Sequence, residues 1–398
     1  MSKSKYRILQ VHNYYQIPGG EDTVVENEKR LLEEHGHTVI QYTRHNKELK
    51  DFSKFRKLLL PFSTIFNPRT YRDVKQILRE QKIDVVHVHN TLNLISPAVY
   101  YAALKCKVPV VQTVHNFRLL CPGATFYRDG HICEDCVEKG LACAIKHSCY
   151  RGSKAQTLVC VLNTWIHRLT GVCGKLNYIC LTEFNRKKLL QLKQIKPERV
   201  FVKPNFVNKS DTAIMPFEKR ENRVIFAGRL DKLKGIDVLL EAWKQMGTSS
   251  PRLLICGTGL MEDWCKDYIA RNNLTSVEMM GFVPNTEARK LIANSKALVL
   301  PTQWYEGFPM TIVEAYSVGT PVIGSDMGNV GSLIHSGVSG EVFDGHDVAS
   351  ISATVQRVLA QDTYAVSQVA KMYTGQANYD QLMDIYATVV SSVWRRMM

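Results

Sequence analysis

The sequence contains no apolar run approaching the roughly 20 residues that cross a bilayer as a helix. It shows no amino-terminal leader either, because Met1-Ser2-Lys3-Ser4-Lys5 passes directly into the apolar stretch Ile8-Leu9-Gln10-Val11. These two absences lead us to expect a cytoplasmic protein, free or held at the inner face of the membrane. Low-complexity tracts and short repeats are missing, and no Walker A phosphate loop occurs. Gly257-Thr258-Gly259 would need another glycine at position 262 to complete a dinucleotide fingerprint. That position is Glu262, which excludes nicotinamide binding.

Acidic residues are short in one half only. Residues 1–200 hold 32 Lys and Arg against 17 Asp and Glu, whereas residues 201–398 hold 19 against 20, so the net charge of +14 belongs to the first half. A one-sided basic surface points to an anionic partner: lipid headgroups, nucleic acid or a phosphorylated acceptor. Nucleic acid is disfavoured because no recognition motif accompanies the charge. Phe52-Ser53-Lys54-Phe55-Arg56-Lys57-Leu58-Leu59-Leu60-Pro61-Phe62 interleaves aromatics, basics and leucines. It reads either as a segment lying among anionic headgroups or as a helix packed on its domain with a solvated basic side. Arg186-Lys187-Lys188 reads as a solvated helix face.

With 398 residues, 45% of them apolar and 22% charged, the chain can build two globular domains. Val- and Ile-rich runs predict strands at Arg7–Val11, Thr38–Tyr42, Val85–His89, Val108–Val114, Tyr178–Thr182 and Val200–Val202. Helix-length stretches separate them at Glu21–His35, Tyr71–Gln81 and Ser96–Cys106. The second half repeats the plan, with strands at Val224–Ala227, Leu253–Cys256, Val277–Met280, Ala297–Leu300, Pro321–Gly324 and Gly340–Phe343. Helices are expected there at Ile236–Trp243 and Asn285–Ala293. Such alternation predicts an α/β protein of two Rossmann-like, doubly wound domains facing a cleft. We divide them as 1–203 and 204–377, with Lys203-Pro204-Asn205-Phe206-Val207-Asn208 as a linker. A last helix over 378–398 presents Leu382, Ile385, Val389 and Val393 on one face.

One motif stands out. Tyr305-Glu306-Gly307-Phe308-Pro309-Met310-Thr311-Ile312-Val313-Glu314 follows the apolar run Ala297–Pro301 and precedes Val318-Gly319-Thr320-Pro321-Val322-Ile323. Pro309 suits the first position of a helix. Backbone N–H groups of Gly307, Phe308, Met310 and Thr311 would then face an anion such as a diphosphate, and Glu306 and Glu314 could accept hydrogen bonds from hydroxyls at its two ends. A Glu pair at this spacing also arises on ordinary helix surfaces; its place at the carboxyl end of a parallel strand is what favours a site. Phe226-Ala227-Gly228-Arg229-Leu230-Asp231-Lys232-Leu233-Lys234-Gly235 enters a helix from another strand. Arg229 and Lys234 are surface cations or, better placed at a strand end, a means of offsetting charge on a departing diphosphate.

In the first half, Pro18-Gly19-Gly20-Glu21 follows a strand and opens a helix; Gly19 and Gly20 either let a ligand approach the backbone or serve a turn needing positive φ. His115 ends a strand and reads first as structural, with a hydrogen bond to a sugar hydroxyl or help in handling a proton as the functional alternative. His12, His87 and His89 read as structural. Of 11 cysteines, Cys121, Cys133, Cys136, Cys143 and Cys149 fall close together. Cys133-Glu134-Asp135-Cys136 is a C-x2-C knuckle that could close a structural zinc site with Cys121 and Cys149, with His131, Cys143 or His147 as substitutes.

The region from Arg223 to about Asp347 resembles family 4 retaining glycosyltransferases of the GT-B fold. The resemblance rests on Ala227-Gly228-Arg229-Leu230 with Lys234-Gly235, Gly257-Thr258-Gly259, Gly281-Phe282-Val283-Pro284, Tyr305-Glu306-Gly307-Phe308-Pro309 with Glu314-Ala315, and Gly319-Thr320-Pro321-Val322-Ile323. The first half resembles the family more loosely through Gly19-Gly20, His89-Asn90 and Val114-His115-Asn116, and its cysteine-rich insertion resembles a bacterial subset that builds surface polysaccharides. The resemblance implies that the second domain binds a nucleotide-diphosphate sugar and the basic first domain an acceptor, either a saccharide or a lipid-linked one. It implies that Arg229 and Lys234 hold the diphosphate, Glu314 the ribose and Glu306 the transferred sugar. Gly307 and the N–H groups after it would assist. His115 would touch the donor sugar, Gly257 would line the donor site, and the backbone at Val283 would meet the base. It further implies retention by front-face attack, with the last helix crossing back to the first domain. No Asp-x-Asp pair, which many sugar transferases of a different fold use to hold a catalytic divalent metal, occurs in the chain. We therefore expect no catalytic cofactor, with Arg, Lys and a helix dipole neutralising charge. A nucleotide-sugar-binding regulator, or an epimerase or phosphorylase on the same fold, are the alternatives.

Overall fold

The computed structural model describes residues 5–16, 19–208, 212–361 and 363–394. Pro18 and residues 395–398 lie outside these, as does the side chain of Val393. Of the described residues, those in 5–128, 133–205 and 378–394 form one compact unit, and those in 129–132 and 206–377 form a second.

The strands up to residue 202 are β1 (Arg7–Tyr14), β2 (Thr38–His45), β3 (Val85–Asn90), β4 (Val110–Val114), the two-residue β5 (Tyr127–Arg128) and β6 (His131–Ile132), β7 (Asn177–Cys180) and β8 (Val200–Val202); all but β6 belong to the first unit. Six of these make a sheet in the order β2-β1-β3-β4-β7-β8, and every neighbour pairs in parallel. Ile8, Leu9, Val11, Val85, Val86 and Val88 are wholly buried, which is what apolar strands covered on both faces require. The last helix, Gly375–Trp394, lays Leu382, Ile385, Tyr386 and Val389 against Tyr6, Ile8 and Val111 of this sheet.

The second unit carries β9 (Glu221–Ala227), β10 (Arg252–Cys256), β11 (Val277–Gly281), β12 (Ser295–Leu300), β13 (Val322–Ser325) and β14 (Gly340–Phe343). Their order is β11-β10-β9-β12-β13-β14, again parallel. The winding reverses between β9 and β12, so the helices that follow these two strands pack on opposite faces of the sheet. Trp243 on the helix Ile236–Met246 is fully buried and donates its indole N–H to the Pro251 carbonyl at 2.8 Å.

The division between the two units falls between 205 and 206, within the expected linker, whose Lys203, Asn205, Phe206 and Val207 are buried. Asn378 explains part of this, because its amide donates to the Pro204 carbonyl at 2.7 Å and accepts from the Lys203 ammonium at 3.1 Å. β4 begins at Val110, not Val108, since Pro109 has no N–H to enter a ladder. Among the described residues, no helix is long and apolar enough to cross a membrane.

Candidate active site

The loops leaving β9 and β12 meet at the reversal point of the second sheet. A Cβ on Gly235, which adopts φ +70°, would lie 1.8 Å from the Pro301 carbonyl oxygen, so only glycine lets these loops close up. The closure brings Lys234 against Glu306, with Nζ to Oε2 at 2.7 Å. Thr302 donates to the other carboxylate oxygen at 2.7 Å, and Asn329 donates to the Gly307 carbonyl at 2.9 Å. Glu306 is buried. It thus positions Lys234 as well as offering its remaining lone pairs to a ligand. The ammonium keeps two further N–H donors.

Asp231 caps the turn before Gly235 by accepting from the Lys234 N–H at 3.0 Å. Its carboxylate also lies 3.5 Å from Arg229, whose side chain is 71% exposed. Gly257 adopts φ +145°, where a Cβ would lie 1.8 Å from the Gly228 carbonyl oxygen, so this glycine packs the β10 loop onto the Arg229 loop.

The helix of the Glu pair spans Met310–Ser317, with Pro309 as its N-cap at ψ 91°. The expected placement of Pro309 at the first helical position is therefore shifted by one residue, because its extended ψ lies outside the helical range. Phe308 and Met310 pack their side chains onto the core, leaving backbone N–H groups as what they can offer a ligand. Thr311 and Gly307 are half-buried at this helix start. Glu314, one turn on, accepts from the Asn285 amide at 2.8 Å and lies 3.6 Å from Arg289. Val283 is half-buried beside an exposed Phe282. The structure therefore gathers Lys234 and Glu306 into one contact. Thr302, Asn329 and Asp231, which the sequence reading passed over, hold the arrangement.

In the first unit, His115 follows β4 and its Nε2 lies 3.0 Å from Nδ1 of His89. Burial, then the neighbouring His89, holds the His115 imidazole well below its ordinary range, so it is neutral and can both donate and accept. His115 borders a pocket of about 80 Å³ that also takes in Asn116, Arg118 and Gln112. Gly19 has φ −129° with open space where a Cβ would project, so the positive-φ explanation fails for it. Gly20 opens the helix Gly20–Glu34.

Glu21, next in line, escaped the sequence reading. Its side chain is 11% exposed, it accepts from the Tyr15 hydroxyl at 2.8 Å, and its other oxygen is sealed from solvent with no hydrogen-bond partner. Burial pushes its carboxyl up to about 8, against the opposing Tyr15 bond. A carboxyl raised above its unfolded value contributes stability that is lost as pH climbs through the folded value. Glu21→Gln should therefore gain on the unmodified protein by about 2–3 kcal/mol more at pH 9 than at pH 6. Equal melting differences at the two pH values would refute this.

His12, His87 and His89 are buried. His12 pairs with Asp22 at 2.7 Å, and His87 bonds to Thr113 at 2.8 Å and Tyr386 at 2.7 Å. Glu28, His87 and His89 present three donor atoms within 4.8 Å of one another, a spacing that could hold a metal ion. Lys203 stands 3.3 Å from the second Glu28 oxygen and already supplies a counter-charge there.

The helix Lys54–Ile65 does not pack its apolar side inward. Phe55, Leu58 and Phe62 are about 70% exposed, and Thr64 is its buried residue. It contacts the helix Lys154–Leu169, which exposes Leu158, Leu162, Trp165 and Leu169 along one face. Lys54, Arg56, Lys57 and Lys154 on the same two helices are exposed as well.

Two families match the chain: Glycosyltransferase Family 4 over residues 18–211, and Glycosyl transferases group 1 over residues 208–375. Among relatives, the glycogen synthase of Mycobacterium tuberculosis is 26% identical, covering 79% of this chain and 69% of its own length. A 41.2 kDa protein in the cps region of Klebsiella pneumoniae is 24% identical, over 86% of this chain and 87% of its own. Among solved structures, the lipopolysaccharide outer core galactosyltransferase WaaB matches with a TM-score of 0.66 at 17% identity, over 95% of this chain and 98% of its own. HepE of Anabaena, in complex with UDP and glucose, matches with a TM-score of 0.63 at 16% identity, over 96% and 100%. Such similarities in structure establish the two-sheet fold.

Proposed function

The chain is a GT-B glycosyltransferase similar to family 4, and from that premise we propose a narrower activity. It transfers a sugar, with retention and without a catalytic metal, from a nucleotide-diphosphate sugar to a lipid-linked or saccharide acceptor of a surface polysaccharide. The observation that carries this reading is the Lys234–Glu306 pair, held at the reversal point of the second sheet beside the exposed Arg229. The solved HepE complex with UDP and glucose supports the donor class, and WaaB and the cps-region protein support the pathway.

In the proposed step the acceptor hydroxyl oxygen bonds to the anomeric carbon on the face from which the diphosphate leaves. The bond to the diphosphate breaks, its electron pair goes to the phosphate oxygen, and the hydroxyl proton passes to that oxygen. Arg229, Lys234 and the N-terminus of Met310–Ser317 offset the growing negative charge. Glu306 fixes the Lys234 ammonium and accepts from a hydroxyl of the donor sugar. Glu314 accepts from the ribose hydroxyls, and Val283 meets the base through its backbone. In the first unit, neutral His115 hydrogen-bonds the donor sugar.

A thermal-shift screen of nucleoside diphosphates and their sugars tests the donor. A tight binder at 100 times its Kd should add about 2.7 kcal/mol, and no shift with any of them would overturn the reading. Sugar transfer to an acceptor separates it from a regulator without catalysis. Conversion without an acceptor would indicate an epimerase, and dependence on free phosphate a phosphorylase.

The basic first unit and its exposed apolar helices support attachment to an anionic membrane surface at the inner face, where a lipid-linked acceptor would lie. Phe55→Ser combined with Phe62→Ser should reduce sedimentation with anionic vesicles by about tenfold or more, if each aromatic contributes on the order of 1 kcal/mol. Unchanged sedimentation would refute the attachment through this face.

A further inference from the structure

The carboxyl ends of β3 and β4 open into the pocket of about 80 Å³ that His115 borders. Open α/β sheets bind ligands outside these strand ends. A water molecule needs about 10–15 Å³ of such space, so the pocket has room for a group the size of a phosphate. Donors crowd its wall. Arg118 comes from the loop after β4, and Asn163 and Arg168 come from the helix Lys154–Leu169. Gln112 accepts from the Tyr100 hydroxyl through its amide oxygen, a contact that leaves its amide N–H groups unused.

The two guanidiniums stand in this wall without a counter-charge. Arg118 donates to the Pro122 carbonyl at 3.2 Å and lies over the Tyr150 ring, and Arg168 donates to the Leu119 carbonyl. Neither forms an ion pair with a carboxylate among the described residues. Nearby acids are neutral. Glu21 is in electrostatic reach of Arg118, but burial pushes its carboxyl up to about 8. Cys173 and Cys136 are in reach of Arg168. Burial pushes Cys173 up to about 11, and the hydrogen bond to Cys121 and burial raise Cys136. A zinc-thiolate centre does not supply the charge either: among the described residues, Cys121, Cys133, Cys136 and Cys149 bring no three sulfurs within 4.8 Å of one another, contrary to the expected zinc site. Arg168 Nε and Asn163 Oδ1 are both buried with no hydrogen-bond partner. A half-buried cation that lacks a counter-charge and part of its hydrogen bonding is costly to keep. An oxyanion in the pocket would relieve both deficits through charge-assisted hydrogen bonds.

Arg168 also lines a second, larger cavity of about 490 Å³, together with Leu120, Trp165, Leu169, Leu192 and Lys193. Trp165 and Leu169 are exposed, and Leu158 and Leu162 continue their apolar face along the same helix. One guanidinium therefore borders a polar pocket on one side and an apolar groove on the other. An amphiphile with a phosphate head has the same order of charge and chain. We propose that Arg118 and Arg168 bind the phosphate of a lipid-linked acceptor, whose hydrocarbon chain runs along the groove of Trp165, Leu169 and Leu192. This inference rests on the proposed transfer and narrows its acceptor from a saccharide or a lipid-linked one to a lipid phosphate. The donor diphosphate is assigned to Arg229 and Lys234 of the second unit, which leaves the charge at Arg118 and Arg168 for the acceptor. A bare anion or an aliphatic alcohol would use only half of the arrangement.

The test titrates the full-length protein by calorimetry with three probes below micelle formation: farnesyl diphosphate, farnesol and inorganic diphosphate. Farnesyl diphosphate should bind about tenfold or more tightly than either of the others. Arg118→Gln and Arg168→Gln should each weaken it by about tenfold or more, as loss of a hydrogen bond to a charged group does. Trp165→Gln combined with Leu169→Gln should weaken farnesyl diphosphate and leave inorganic diphosphate unchanged. Farnesol binding as tightly as farnesyl diphosphate overturns the proposal, and so does inorganic diphosphate doing the same. Displacement of farnesyl diphosphate by glucuronate would assign the pocket to an acidic sugar and overturn it as well. So would displacement by a nucleoside diphosphate with full binding kept in both arginine variants, which would put the probe in the donor site. Arg168→Gln also gives up the bond to the Leu119 carbonyl. If it fails to fold, Arg118→Gln and the three probes on the unmodified protein decide. A protein that is stabilised by a nucleoside diphosphate yet does not bind farnesyl diphosphate overturns this acceptor and leaves the transfer standing.

Discussion

Lys234→Ala is expected to lower kcat by about 10²-fold or more, the loss seen when one preorganised donor to a developing negative charge is removed. The ammonium is tied to Glu306 at 2.7 Å before any ligand arrives, so no reorganisation is needed as charge builds on the diphosphate. An interaction made mainly in the transition state lowers kcat and kcat/KM together, whereas one made equally with the bound donor would raise KM alone. Lys234→Ala also leaves Glu306 without its cation in a buried setting, and the melting temperature must be followed beside the rate. Arg229→Ala supplies the cleaner variant, because that side chain is 71% exposed and its removal leaves no buried group unpaired. A similar fall in kcat is expected for it, with an unchanged melting temperature. Near-normal kcat in both variants would remove leaving-group stabilisation by this loop from the mechanism.

The two sheets were legible because strands buried on both faces leave continuous Val and Ile runs, as in Val85–Val88 and Leu253–Ile255. The strand after Pro109 and the helix after Pro309 each begin later than read, since proline marks an edge without fixing which residue crosses it. The Glu306 motif was readable from its strand-turn-helix setting. Its contact with Lys234 was not: the two residues are 72 positions apart and meet only because Gly235 tolerates the Pro301 carbonyl. The apolar face of Lys154–Leu169 did carry a signal, in that Leu158, Leu162, Trp165 and Leu169 follow helical spacing. Periodicity tells which side of a helix is apolar and not whether that side is covered. Glu28 and Lys203 left no signal at all, being 175 residues apart in segments that each read as ordinary.

That last pair gives the largest expected effect on stability. Glu28 and Lys203 are both almost wholly buried, with the ammonium 3.3 Å from one carboxylate oxygen. Burial raises the Glu28 carboxyl, but the adjacent His87 and Lys203 outweigh it and hold the group well below its ordinary range. Burial also lowers the Lys203 ammonium, with Glu28 opposing. Each charge is therefore stabilised by the other, with His87 adding to the hold on Glu28. Glu28→Ala strands a buried cation, and breaking a buried pair in this way costs about 3–5 kcal/mol. In a unit of this size that corresponds to a fall of on the order of 10 °C in its melting temperature. Because the chain has two compact units, calorimetry should show the loss in one transition, with hydrogen exchange assigning it to 5–128 and 133–205. Adding Lys203→Met to Glu28→Leu removes both charges and should recover much of the loss, a non-additivity that a simple cavity would not produce. The acid side follows from the same pair. A depressed carboxyl contributes stability that is present above its unfolded value and is lost as pH falls below it, so the gap between Glu28→Leu/Lys203→Met and the unmodified protein should narrow below about pH 4.5. A double variant no more stable than Glu28→Leu alone would show that the carboxylate acts through packing or through His87 and His89 instead of through Lys203.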